Sequence, residues 1–206
     1  LGSRLFEAIT ELDEYYPTRT EAAIFQAHAG TIASAIGPGC TLVDLGAGNC
    51  AKASSLFPSL QPARYVAVDI SVDFLASALD YLQFRHPAMD ITGVDSDFSS
   101  ALELPDELGD GPRVLFYPGS SIGNFTPAEA RLFLAGIRRY FTTRPGSTLL
   151  IGVDGKKDKA TLDAAYDDAL GVTAAFNRNV LRHLNARFGF DFDVGGFAHV
   201  GFYNES

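Results

Sequence analysis

Apolar residues recur along this chain with two alternating periods. Short apolar runs rich in β-branched residues at 41–45, 64–69, 89–94, 113–117 and 147–153 read as buried strands. Helical spacing falls between most of them. Residues 72–84 carry Phe74, Leu75, Ala78, Leu79 and Leu82 on one stripe, and residues 127–141 carry Leu132, Phe133, Ile137 and Phe141 on another. The second helix has a clear start: Thr126 as N-cap, Pro127 at the first helical position and Glu129 closing a capping box. Turn residues at Gly109-Asp110-Gly111-Pro112 and Arg144-Pro145-Gly146 precede two of the strands. This alternation is the βαβ signature of an α/β, Rossmann-like fold with an open, mainly parallel sheet flanked by helices.

The flanks follow other rhythms. Leu5, Phe6, Ile9 and Leu12 place a short amphipathic helix over 3–12, and Pro17 then interrupts. Thr18 or Thr20 caps a second helix that presents Phe25, Ala29, Ile32 and Ile36, and Gly37-Pro38-Gly39 ends it. Beyond the fifth strand, 156–188 reads as helical with a break near Gly171, a candidate cap over the carboxyl ends of the strands. Residues 191–203 are short and mixed, with a strand expected after a turn at Gly195-Gly196. Three parts are therefore expected: an N-terminal helical segment at 1–36, a core at 37–155 and a cap at 156–206.

Composition narrows the chemistry. With 206 residues, 47% hydrophobic, the chain can bury a sizeable core. Its 25 acidic and 16 basic residues leave a net charge of −9, which disfavours a nucleic-acid partner. Two cysteines, Cys40 and Cys50, lack metal-ligand spacing and suit a reducing compartment. No run approaches the roughly 18 apolar residues of a membrane helix, and no signal segment is visible, so a cytoplasmic, monomeric protein without a metal is expected.

The candidate site begins at the first strand. Leu-Val-Asp-Leu-Gly-Ala-Gly at 42–48 runs from a strand into a tight loop and then a helix start, where glycines let backbone N–H groups approach a nucleotide-like ligand. The spacing Gly46, Gly48, Ala51, followed by Asp69, also fits a dinucleotide fingerprint. Asp44 separates the two readings: its carboxylate would repel a pyrophosphate but attract a cofactor carrying an ammonium and a sulfonium. Ligands of such sheets sit outside the carboxyl ends of the strands. Asp69 there can accept both ribose hydroxyls, and Asp97 with Phe98 can take the adenine. Lys52 falls in the first turn of the following helix.

The Asp-Leu-Gly-Ala-Gly pattern resembles the first motif of class I S-adenosylmethionine-dependent methyltransferases. Three longer runs are more specific: Tyr-Tyr-Pro-Thr-Arg-Thr-Glu at 15–21, Tyr-Pro-Gly-Ser-Ser-Ile-Gly-Asn-Phe at 117–125, and Ala-Tyr-Asp-Asp-Ala-Leu-Gly-Val-Thr-Ala-Ala-Phe-Asn at 165–177. Together they resemble the histidine-specific methyltransferase family, which trimethylates the α-amine of histidine to hercynine in ergothioneine biosynthesis. The resemblance implies that Gly46, Lys52, Asp69, Asp97 and Phe98 contact S-adenosylmethionine, beside Asp44 and Gly48 from the loop itself. It implies that Asn124 and Tyr166 hold the substrate's carboxylate and amino end as the catalytic pair. Tyr15 would face the imidazole, with Phe6 and Gly119 lining the pocket. Family members are expected to begin earlier and to extend beyond Ser206, into a segment whose Glu and Ser recognise imidazole.

Methyl transfer from a sulfonium asks mainly for alignment and exclusion of water. As methyl groups accumulate the amine loses donors, so aromatic faces become useful, with Tyr15, Tyr16 and Phe125 as candidates. The rivals are a family member acting on another amino acid or amine, an NAD-dependent oxidoreductase, and a catalytically silent binding relative. His28, His86, His183 and His199 have no visible partners in the sequence.

Overall fold

The computed structural model describes residues 1–98, 104–105, 108 and 111–204. Five parallel strands, β1 (Thr41–Leu45), β2 (Arg64–Asp69), β3 (Asp90–Asp95), β4 (Arg113–Tyr117) and β5 (Thr148–Ile151), form one sheet in the order β3-β2-β1-β4-β5. Among the described residues seven α-helices accompany them: α1 (Gly2–Thr10), α2 (Tyr16–Ile36), α3 (Ala51–Leu60), α4 (Val72–Arg85), α5 (Pro127–Thr143), α6 (Lys159–Tyr166) and α7 (Val172–Phe188). The expected open α/β sheet is present. Residues Gly109 and Asp110 of the expected turn lie outside the described residues.

The chain divides into two compact units, 21–154 and a second made of 1–20 with 155–206. In the first, strand alternation sorts side chains to opposite faces of the sheet. Leu42, Tyr65, Ala67, Val114 and Phe116 face Phe25 of α2 and Leu56, Phe57 and Leu60 of α3. Val43, Leu45, Val66, Val68, Leu115 and Tyr117 face Phe133 and Ile137 of α5. Burial on both faces explains why the strands read as continuous apolar runs. Each fully buried aliphatic side chain contributes on the order of 1.5–3 kcal/mol. The α5 capping box forms as expected: the Glu129 backbone N–H donates to Thr126 Oγ1 at 3.3 Å and the Thr126 N–H donates to Glu129 Oε2 at 2.8 Å.

In the second unit, Asp158 caps α6 through the Thr161 N–H at 2.9 Å. Between α6 and α7, Gly171 takes the left-handed conformation at φ +72°, and buried Asp168 accepts the Val172 and Thr173 N–H groups at 2.9 and 2.7 Å. Burial opposes the charge on Asp168, and the hydrogen bonds from Thr173 and Val172 outweigh it, holding the carboxyl below its usual range.

Three expectations are corrected. The second helix, α2, begins at Tyr16 rather than behind a cap at Thr18 or Thr20, with Pro17 in its first turn, where a missing N–H costs no intrahelical bond. Strand β5 is shorter than the apolar run at 147–153. No strand forms among the described residues of 191–203, because side chains serve its backbone instead. Asn185 bonds both the N–H and the C=O of Phe192 at 2.9 and 2.8 Å, Asp193 accepts the Gly195 N–H at 3.0 Å, and Asp163 accepts the Tyr203 N–H at 2.6 Å.

Candidate functional site

The carboxyl ends of β1 and β2 build the first part of the site. Gly46 (φ +77°) and Ala47 donate their N–H groups to the Val68 carbonyl at 2.8 and 3.1 Å, folding the loop over the end of β2. Gly48, at φ +54°, donates its N–H to Asp69 Oδ2 at 2.9 Å, and Ser71 donates to Asp69 Oδ1 at 2.8 Å. Asp69 thus ties the glycine loop to the turn after β2. A carboxylate has about four acceptor positions, so two remain for ribose hydroxyls. Cys50, itself left-handed at φ +60°, starts α3 with no side-chain cap on the helix N-terminus. The Phe98 ring lies over the loop, 3.7 Å from where a Gly46 Cβ would stand, and packs edge-on to Tyr117 at 5.9 Å. Asp97 beside it is exposed.

Asp44 sits differently from its neighbours. It is only 2% exposed and accepts the Tyr65 hydroxyl at 2.8 Å, beneath the glycine loop rather than on its rim. Burial pushes its pKa up to about 7, against the opposing pull of the Tyr65 hydrogen bond and of Lys52. A cation bound nearby would draw the proton off. Burial also pushes the adjoining Cys50 thiol up to about 12, so this cysteine is no nucleophile.

A second group of residues gathers after β4. Gly119 and Ser120 are consecutive left-handed residues at φ +77° and +55°. Ser120 is held there by accepting the Asp154 N–H on its Oγ at 2.9 Å. A 3-10 turn over Ser121–Asn124 follows and leaves Asn124 exposed at its end. Gly119 donates its N–H to Glu21 Oε1 at 2.7 Å, and Lys52 donates to Glu21 Oε2 at 2.7 Å. Glu21 therefore joins two expected site residues that the sequence separates widely. Phe125 faces inward, its ring 5.5 Å from Phe133.

The remaining candidates belong to the unit of 1–20 and 155–206. Their rings form a chain: Phe176 to Phe6 at 6.1 Å, Phe6 to Tyr15 at 6.3 Å, and Tyr15 to Tyr166 at 6.1 Å, the last two edge to face. Tyr16 has its face covered by the Lys157 ammonium at 4.5 Å, a cation-π contact. Among the three aromatic candidates for a quaternary amine, Tyr15 alone lies in this ring chain. The Tyr166 carbonyl is bonded by His199 Nε2 at 2.9 Å. The Asn177 amide lies 3.2 Å from His199 Nδ1; with the amide donating, the proton of the neutral ring resides on Nε2.

Two residues escaped the sequence reading. Glu21 stands in the sequence only as the last residue of the Tyr-Tyr-Pro-Thr-Arg-Thr-Glu run, and its 98-residue separation from Gly119 leaves no local pattern to find. His199 looked partnerless because Tyr166 and Asn177 are 33 and 22 residues away.

A model of the family described as histidine-specific methyltransferase, SAM-dependent, matches residues 1–206. Histidine N-alpha-methyltransferase of Mycolicibacterium smegmatis is 42% identical over 208 residues, covering 99% of this chain and 63% of the relative. Its counterpart of the same name from Mycobacterium tuberculosis is 41% identical over 211 residues, covering 100% of this chain and 64% of the relative. The chain thus spans less than two thirds of the length of both. Among solved structures, the glycopeptide N-methyltransferase MtfA with S-adenosylhomocysteine shows a TM-score of 0.46 at 23% identity, over 62% of this chain and 51% of that one. A family match that runs from the first residue to the last places this chain in the histidine-specific, S-adenosylmethionine-dependent methyltransferase family.

Proposed function

We propose that this protein transfers methyl groups from S-adenosylmethionine to the α-amine of L-histidine, trimethylating it to hercynine, the chemistry that begins ergothioneine biosynthesis. The observation that carries the proposal is the 42% identity to the Mycolicibacterium histidine N-alpha-methyltransferase over 99% of the chain. The net charge of −9 supports a small-molecule substrate over a nucleic acid. Among the described residues no helix is long and apolar enough to cross a membrane. A monomeric, cytoplasmic enzyme completes the reading.

In this reading Gly46 and Gly48 let the loop backbone approach the cofactor, Asp69 takes the ribose hydroxyls, and Asp97 with Phe98 takes the adenine. Lys52 meets the cofactor's carboxylate, and Asp44 adds negative charge beneath the loop. Asn124 and Tyr166 hold the carboxylate and amino end of histidine, Tyr15 faces its imidazole, and Phe6 and Gly119 line the pocket. The reaction is an in-line displacement. The ammonium first loses a proton to water, the amine lone pair attacks the methyl carbon, and the carbon–sulfur bond breaks with its electron pair returning to sulfur. Protein groups act by aligning the two reactants and excluding competing water.

Mass spectrometry of reactions with methyl-deuterated S-adenosylmethionine and a panel of free amino acids tests the proposal. One, two and three labelled methyl groups are expected on histidine. Labelling of a different amino acid, with histidine untouched, would overturn the substrate assignment.

A further inference from the structure

In the strand order β3-β2-β1-β4-β5, the chain reverses direction across the sheet between β1 and β4. The crevice at the carboxyl ends of these two strands is where an open sheet of this kind receives its ligand. One side chain from α2 occupies that crevice. Glu21 accepts the Gly119 N–H beyond β4 on Oε1 and the Lys52 ammonium beyond β1 on Oε2, each at 2.7 Å. It also lies against Gly152 beyond β5, where any Cβ would collide with Oε1. The Glu21 side chain is 13% exposed and that of Lys52 is 35% exposed. Glycine at 119 leaves room for the same pair, since a Cβ there would come within 2.8 Å of Lys52 Nζ. Three loops at the ligand-binding edge therefore converge on one carboxylate.

An ammonium has three donors. With one committed to Glu21, Lys52 has a fixed direction in which to present the others. We infer that Glu21 is a positioning residue for the cofactor: it locks Lys52 and the Gly119 N–H at the switch point, so that Lys52 presents its remaining donors to the carboxylate of the cofactor's amino-acid end. Glu21 itself touches no reacting atom. The inference rests on the proposed use of S-adenosylmethionine, and it gives Lys52 an orientation that a solvated lysine lacks.

The test is calorimetric titration of S-adenosylhomocysteine into the protein and its Glu21→Gln, Lys52→Met and doubly substituted forms, with steady-state KM values for both substrates. Glu21→Gln should raise the S-adenosylhomocysteine Kd and the S-adenosylmethionine KM about tenfold, the size expected when a charge-assisted pair is lost. The KM for the amino acid should move by less than about twofold, because a cofactor-side pair is a local contact. The double substitution should be no weaker than the weaker single one, since Glu21 acts through Lys52. An unchanged Kd in Glu21→Gln, or fully additive losses, would overturn the inference. Should Glu21→Gln fail to fold, Glu21→Asp keeps the charge on a shorter stem, and its Kd should rise about threefold or more because it cannot reach both partners. An unchanged Kd there has the same contrary meaning. Normal cofactor behaviour with methylation of a different amine would defeat the histidine assignment and leave the Glu21 inference standing, whereas an unsubstituted protein that binds no S-adenosylhomocysteine would defeat both.

Discussion

The two units order their own candidate residues by different means. In 21–154 the ordering groups are carboxylates that meet at the carboxyl ends of the strands, each partnered by backbone N–H or a charged group: Asp69 at the end of β2 with Gly48 and Ser71, and Glu21, reaching in from α2, with Gly119 and Lys52. In 1–20 with 155–206 the ordering groups are aromatic edges and side-chain clamps on backbone, with Phe6, Tyr15 and Tyr166 in ring contact and His199 on the Tyr166 carbonyl. A parallel sheet locks strand ends in register, so charge can be placed there accurately. Helices joined by loops have no such register. They need individual clamps, and apolar rings tolerate the looser placement because their contact is broad and weakly directional.

That contrast can be broken or sharpened by substitution, and the largest effect on stability is expected at Asp44. Its pKa lies near 7 in the folded protein against an ordinary value of 3.8, so the folded state holds the proton more tightly than the unfolded chain. Stability from this group is therefore fully present below about pH 4 and is lost as pH rises through 7. Asp44→Asn removes the dependence, and its stability should gain on the parent by about 2–3 kcal/mol between pH 5 and 8, read by urea unfolding at each pH. A constant gap across that range would contradict the buried, protonated state.

Next comes Asp69→Ala, which leaves two backbone N–H groups of the first unit unpaired and removes the proposed ribose acceptor. A loss of about 3 kcal/mol, or roughly a hundredfold in S-adenosylhomocysteine affinity, is expected by calorimetry. In the second unit, Asp168→Ala uncaps α7 and should cost about 1–2 kcal/mol of stability. Because the Asp168 carboxyl is held below its usual range, its contribution is present at neutral pH and disappears in acid. Chemical denaturation at pH 7 and pH 3 should show the difference between variant and parent shrinking. The smallest effect is expected from Tyr15→Phe, which keeps the ring contacts with Phe6 and Tyr166. Cofactor affinity should be unchanged within about twofold, while any loss in histidine KM measures the hydroxyl alone.

The reach of the sequence divides along the same line. Strands β1, β2 and β4 begin and end at the residues where the sequence places them, because burial on both faces makes each run mostly apolar. The α5 start is equally legible, since a capping box is a local contract among Thr126, Pro127 and Glu129. The residues of the glycine loop could be named from sequence for the same reason. What stayed hidden is long-range or context-dependent. The burial of Asp44, which halves the force of treating it as a fixed charge near neutral pH, depends on Tyr65 across the strand pair. The role of Glu21 depends on a backbone N–H in another loop. Residues 191–203 are short and mixed and carry a turn signal that suggests a following strand, yet their backbone partners include the side chains of Asn185, Asp163 and Asp193. Those partners carry no periodicity.

The measurement that tests the account most directly is a calorimetric titration of the Tyr15→Ala protein, first with S-adenosylhomocysteine and then with histidine, beside the same titrations of the parent. The account holds that cofactor affinity resides in 21–154 and substrate affinity draws on the ring chain of the other unit. It therefore expects S-adenosylhomocysteine binding within about twofold of the parent and histidine binding weakened about tenfold or more. Equal loss of both ligands, or histidine binding that does not change, would contradict it.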